Sequence, residues 1–346
     1  MQTTHSLHFA DARKQPLAPP ESVALVVTSP PYPMIAMWDA AFGAMSPTAK
    51  RALRQGDGAR AFEAMHRQLD RVWRGCFEAL IPGGFLCINI GDATRTLSGQ
   101  FALYANHARI SAALTALGLT TLPDILWRKP TNAPNKFMGS GMLPGGAYVT
   151  YEHEYILIAR KGGRRVFSTE ARQTRRESAY FWEERNRWFS DLWTDLRGVS
   201  QSLSRAERER SGAFPLTLPH RLICMYSLYG ETVLDPFVGT GTTLAAAVAA
   251  GRSSIGVERD PSLADAVETS LANAVGIGQA KSAARLAAHR TFVSARIARG
   301  KTLAHHNETH NVAVVTAQEK QLQLRAPVSL ARTGTALCWH AAHAVI

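Results

Sequence analysis

Cysteine is scarce in this chain: 346 residues hold only Cys76, Cys87, Cys224 and Cys338, with no Cys-x-x-Cys pair. That pattern excludes a disulfide framework and a zinc centre, and it predicts free thiols in a reducing compartment. Long apolar runs are missing too, so no membrane span is expected. The first residues carry Asp11 where a secretory leader would need an apolar core, so a cytoplasmic, bacterial, nucleoid-associated protein is expected. His305, His306 and His310 lack the carboxylate or cysteine spacing of a metal site and read as a surface loop. Acidic residues are the remaining shortage. With 27 Asp and Glu against 39 Lys and Arg, the formal charge is +12 and the pI about 9.9, which points to a polyanionic partner.

What is present is a βαβ alternation. Strands are predicted over 6–10, 21–28, 85–90 and 123–128, at the centre of 151–162, and over 232–234 and 254–257. Helices are predicted over 58–80, 101–117 and from 242 onward, giving an α/β, doubly wound, mostly parallel sheet. At 25–34 the chain reads LVVTSPPYPM: an apolar strand stopped by Pro30 and Pro31, which hold Ser29 and Tyr32 rigidly at a strand's carboxyl end. At 231–258 a strand ends in Asp235-Pro236 and Gly239-Thr240-Gly241 makes a tight turn. An alanine-rich helix and a second strand ending in Glu258 follow. Strand, glycine turn, helix and terminal carboxylate together suit a nucleoside-containing cofactor. Thr242 stands where a phosphate-binding loop needs lysine and the third glycine of a dinucleotide fingerprint is missing, so a cofactor without phosphates, S-adenosyl-L-methionine, is expected.

Between 162 and 211 the texture changes, with arginines interleaved with large rings. Arg175, Arg176, Tyr180, Trp182, Arg185, Arg187 and Trp188 are the candidate DNA contacts, although the acidic residues among them demand internal ion pairing. Beyond 261, helices over 262–273 and 278–299 and strands over 312–316 and 321–324 are predicted.

Together, TSPPY (28–32) and DPFVGTG (235–241) resemble the amino-directed DNA methyltransferases, and the order, catalytic motif first, resembles their β class. FPLTLPHRLI (214–223), IPGGFLCINIGD (81–92), ILWRKPTNAPN (125–135), YEHEYILIARK (151–161) and LHFADA (7–12) are similar to further motifs of that family. The resemblance implies a circularly permuted, Rossmann-like seven-stranded methyltransferase sheet. It divides the chain into a catalytic half (1–161), an inserted target-recognition region (162–211), a cofactor half (212–275) and a C-terminal extension (276–346). It implies a catalytic corner of Ser29, Pro30, Pro31 and Tyr32. The cofactor would be held by Asp235, Pro236, Phe237, Gly239, Thr240, Gly241, Thr242 and Glu258, with Asp11, Thr28, Phe214 and Leu218 around it. The substrate implied is double-stranded DNA with one base flipped out, and a separate restriction endonuclease is the partner such enzymes can have. Monomer and homodimer both stay open. A leading serine in SPPY is typical of N4-cytosine enzymes, with N6-adenine chemistry or a non-catalytic DNA-binding scaffold as alternatives. No cysteine follows a proline, which excludes attack on the pyrimidine ring itself.

Overall fold

The computed structural model describes residues 1–14, 16–129, 138–196, 214–334 and 337–346. Eleven strands form one sheet: β1 (Gln2–Phe9), β2 (Val23–Thr28), β3 (Leu80–Ile90), β4 (Leu119–Thr121), β5 (Ile125–Arg128), β6 (His153–Lys161), β7 (Leu192–Trp193), β8 (Thr232–Asp235), β9 (Ser253–Glu258), β10 (Arg325–Arg332) and β11 (Cys338–Val345). Their spatial order is β7-β5-β6-β3-β2-β8-β9-β1-β11-β10, with β4 also paired to β6. The five central strands from β3 to β1 run parallel. The expected seven-stranded sheet is the stretch from β5 to β1, and its antiparallel member is β6. β7 lengthens one edge, and the C-terminal extension lengthens the other with the antiparallel pair β11 and β10.

The described helices are α1 (Asp39–Met45), α2 (Pro47–Arg54), α3 (Gly58–Ala79), α4 (Asn106–Ala116), α5 (Thr169–Glu177), α6 (Trp182–Trp188), α7 (Thr217–Tyr226), α8 (Thr242–Ala250) and α9 (Ala264–Ala298). Every residue of β2 is buried, as a strand covered on both faces requires. Val23 and Val26 pack with Met65, Leu69, Val72 and Trp73 of α3 on one face. Leu25 and Val27 pack with Leu218, Leu222 and Ile223 of α7 on the other. The chain turns in opposite directions after β2 and after β8, toward β3 and β9 respectively. Such a switch point opens a crevice at the strands' carboxyl ends.

Several expected elements shift. The stretch 101–117 is not one helix: Ala93–Leu97 and Gln100–Tyr104 form a hairpin before α4 begins. The two helices beyond 261 are one, because Gly278 is a point of close approach, not a break. A β-carbon there would lie 2.6 Å from the Pro327 ring and 2.9 Å from Ala249. The boundary expected at 275/276 therefore falls inside α9, and the extension is continuous with the main body. Residues 312–316 supply a short strand, Val312–Val314, paired with His305–Asn307, while 321–324 carries none and the next strand is β10. Among the described residues no helix is long and apolar enough to cross a membrane.

Candidate active site

Ser29, Pro30, Pro31 and Tyr32 leave the tip of β2, and Asp235 and Pro236 leave the tip of the neighbouring β8. A side-chain bond ties the tips together: Thr28 Oγ1 donates to Asp235 Oδ1 at 2.6 Å. The same oxygen accepts from the Phe237 amide at 2.9 Å, so the carboxylate shapes the turn that leads into the glycine loop. Asp235 is only 2% exposed, and burial pushes its carboxyl up from 3.8 to about 6. The residues expected to be catalytic and those expected to hold the cofactor thus line one cleft of about 1220 Å³.

At the next strand tip, Glu258 is fixed by three backbone amides. Its Oε2 accepts from Gly239 at 2.8 Å, and its Oε1 accepts from Arg259 at 2.7 Å and Asp260 at 2.9 Å. Burial raises its carboxyl above the ordinary range, with the amide bonds opposing. Gly239 sits at φ +56° with open space where a β-carbon would project, and Gly241 at φ +86° starts α8. These are backbone conformations that glycine adopts without strain. An open glycine turn between the buried Asp235 and the half-buried Glu258 is a cradle for a nucleoside bearing a cationic group, and the donor set fits S-adenosylmethionine.

The cleft is lined by Ser29, Pro30, Pro31, Tyr32, Asp11, Phe214, Asp235, Pro236, Phe237, Gly239, Thr240, Thr242 and Glu258, as expected of a common site. Three expected cofactor residues stand elsewhere. Leu218 is fully buried between α7 and the sheet, Thr28 is fully buried beneath Asp235, and Gly241 faces Val267 of α9. All three support the cleft from behind. Asp11 is gripped by Arg13, whose guanidinium lies 2.5 Å away and holds the carboxyl down at about 2.

The SPPY corner also meets three residues that sequence reasoning left unnamed. The Tyr32 hydroxyl donates to Glu154 Oε2 at 3.0 Å, and it accepts from Ser29 Oγ at 3.2 Å and from Asn89 Nδ2 at 2.8 Å. Asn89 also donates to Glu154 Oε2 at 2.7 Å, and Lys129 Nζ pairs with Glu154 Oε1 at 2.5 Å while lying over the Trp127 ring. Gly91 lets this cluster close, since a β-carbon there would come within 3.0 Å of the Tyr32 ring. Burial, followed by the nearby Glu154 charge, raises the Tyr32 hydroxyl well above its usual value. The available signal was Asn89, an amide inside the apolar run FLCINI.

The expected DNA contacts divide by chemistry. Trp188 is buried, and Tyr180 packs on Trp188 and Phe189 in the same core, so neither ring is offered to a base. Trp182 packs on Phe292 and under Arg296 of α9. The expectation of stacking platforms is corrected: these rings seat α6 against the sheet and the extension. Arg175, Arg176, Arg185 and Arg187 are exposed. Residues 197–211 of the expected recognition region lie outside the described residues.

A family model described as DNA methylase, of the N6/N4 type, matches residues 23–269. The chain is 47% identical to the type II methyltransferase M.MthZI of Methanothermobacter thermautotrophicus over 330 residues, 94% of this chain and 92% of that one. It is 47% identical to M.MjaI of Methanocaldococcus jannaschii over 277 residues, 77% of this chain and 90% of the relative. Among solved structures, a protein of Thermus thermophilus described as a putative DNA modification methylase, complexed with S-adenosyl-L-methionine, aligns with a TM-score of 0.61 at 36% identity. That alignment covers 78% of this chain and 94% of that one. The PvuII cytosine-N4-specific DNA methyltransferase shares the fold, with a TM-score of 0.54 at 18% identity, over 78% of this chain and 86% of that one. With its paired strand tips, its open glycine turn and these relatives, the chain belongs to the N6/N4 DNA methylases, which use S-adenosylmethionine to methylate DNA.

Proposed function

We propose that this methylase acts on the exocyclic N4 of a cytosine flipped out of duplex DNA. The observation that carries the reading is the direction of the hydrogen-bond chain at the SPPY corner. Ser29 gives its proton to Tyr32, and Tyr32 gives its own to Glu154, which Lys129 and Asn89 hold in place. Ser29 Oγ therefore presents lone pairs, and among the described residues none donates to the Pro30 carbonyl. Two acceptors on a rigid corner suit an amino group, which has two hydrogens to give; a keto oxygen at the same place has none.

An exocyclic amine is a weak nucleophile because its lone pair is shared with the ring. Two acceptors holding its hydrogens favour a pyramidal nitrogen with a localised lone pair, and the prolines fix them before the base arrives. S-adenosylmethionine, when bound, supplies an electrophilic methyl group on a sulfonium centre. Glu258 would hold ribose hydroxyls, Asp235 and the amides around Phe237 and Gly239 the methionine and ring portions, and Asp11 the adenine edge. A base inside a duplex cannot enter the cleft, so it must leave the stack, with Tyr32 beside its face. The serine of SPPY supports cytosine over adenine, as the family resemblance implies. Cognate restriction of the same site is consistent with the type II names of the relatives.

Incubating the enzyme with unmethylated DNA and labelled cofactor, then digesting to nucleosides, should yield N4-methylcytosine. N6-methyladenine would replace the base assignment while leaving the site intact, and the absence of any labelled nucleoside would overturn the catalytic reading.

A further inference from the structure

A second and larger cleft, of about 1610 Å³, lies at the opposite edge of the sheet. Its walls include Gly83 and Phe85 where β3 begins, Arg160 where the antiparallel β6 ends, and Tyr226 to Leu228 after α7. All of these mark the amino edge of the parallel strands, whereas Ser29 and Glu154 mark the carboxyl edge. The length of β2, six residues, separates the two by about 20 Å of packed sheet.

Among the described residues, seven arginines and one lysine line this cleft, and the one carboxylate on its lining is Glu319. Glu319 is buried, and its oxygens already accept from the Trp182 and Thr316 amides. The other acids carried by the surrounding elements are drawn inward to the C-terminal extension and the core. Glu177 pairs with Arg325, Glu183 with His289, Glu184 with Arg285 and Glu231 with Arg165. Glu170, fully exposed on α5, is turned to solvent. Arg164, Arg172, Arg175, Arg176 and Arg185 thus remain exposed without a carboxylate partner among the described residues. Two are held ready by rings, with Arg175 4.6 Å over Phe167 and Arg185 5.7 Å over Phe189. A fold that turns its acids inward and its guanidinium groups outward on one concave face has built a polyphosphate-binding surface.

We propose that this cleft is a second duplex-DNA site, binding backbone phosphates of a segment other than the one being methylated. DNA is the polyanion that the family's activity brings to the protein, and about 20 Å of packed sheet stands between this cleft and the SPPY corner. The enzyme would then tether itself to DNA without sequence preference, or bridge two segments, while the carboxyl-edge cleft does the chemistry.

The test is a bridging assay with the full chain: one unmethylated plasmid fixed to beads, a second labelled and free in solution. The wild type should retain the labelled DNA on the beads. The triple variant Arg164→Glu, Arg172→Glu, Lys320→Glu changes only exposed side chains and should lose bridging by about tenfold or more, with a shallower salt dependence of DNA binding. Its methylation of a short duplex and its oligomeric mass should match the wild type. Arg164→Lys, Arg172→Lys should bridge normally, and so should Ser29→Ala, which separates this site from catalysis. Absence of bridging by the wild type, undiminished bridging by the triple variant, or an equal fall in short-duplex methylation would each overturn the proposal; in the last case these residues contact the substrate duplex.

Discussion

Asp235→Asn should make the ligand-free protein more stable while impairing cofactor binding. Asp235 is buried at the base of the cleft, and burial raises its carboxyl from 3.8 to about 6. The folded state therefore holds a proton that the unfolded chain has already released, so stability falls as pH rises from about 4 through about 6. Above that window the ionised carboxylate costs about 3 kcal/mol, from about 1.4 kcal/mol per tenfold change in acidity. Asparagine removes the charge and keeps an oxygen that can accept from both Thr28 Oγ1 and the Phe237 amide, the two bonds that shape the turn. For a chain of 346 residues an unfolding entropy of about 2.1 cal/mol/K per residue converts 3 kcal/mol into a rise in Tm of about 4 °C. Thermal unfolding without cofactor should show that gain at pH 7.5, shrinking to nothing near pH 4, and isothermal titration should show weaker binding of S-adenosylmethionine. A variant less stable than the wild type at pH 7.5, or a gain independent of pH, would refute the argument that the buried charge is strained.

Other substitutions separate roles within the cleft. Ser29→Ala or Pro30→Ala should lower single-turnover methylation by about 100-fold with little change in cofactor affinity, as expected of groups acting on the reacting amine. Glu258→Ala should do the reverse, weakening cofactor binding in titration because the hydrogen-bonded anchor of the Gly239 turn is lost. Tyr32→Phe leaves Ser29 without its acceptor and Glu154 without one donor, so turnover should fall by about tenfold or more with the ring contact retained. Leu218→Ala should cost about 2–5 kcal/mol of stability in denaturant unfolding and leave the KM for cofactor unchanged, because the side chain packs behind the cleft.

The main lines of the fold were legible because strand tips carry recognisable punctuation. Pro30-Pro31 and Gly239-Thr240-Gly241 each follow an apolar run, and those runs became the adjacent strands β2 and β8. Glu154, Asn89 and Lys129 stayed hidden because only strand register unites them. Ile156 pairs with Asn89, and Glu154 lies opposite Trp127, beside Lys129. The rings of 180–193 misled for a related reason: composition does not reveal that α9 and the extension come back to cover them. An acid of the same stretch, Glu184, and Glu177 just before it find their cations more than 100 residues away, in Arg285 and Arg325.

The position of β1 has a temporal consequence. It lies between β9 and β11, both of which come much later in the chain. During synthesis the segment Gln2–Phe9 is therefore made long before either neighbour exists, and its edge hydrogen bonds have to wait for those later strands. The glycine turn and Glu258 also emerge late, so ribosome-bound fragments that already contain the SPPY corner would lack a completed nucleoside cradle. An architecture that places the SPPY corner ahead of the glycine turn leaves the shared cleft incomplete until both have been made.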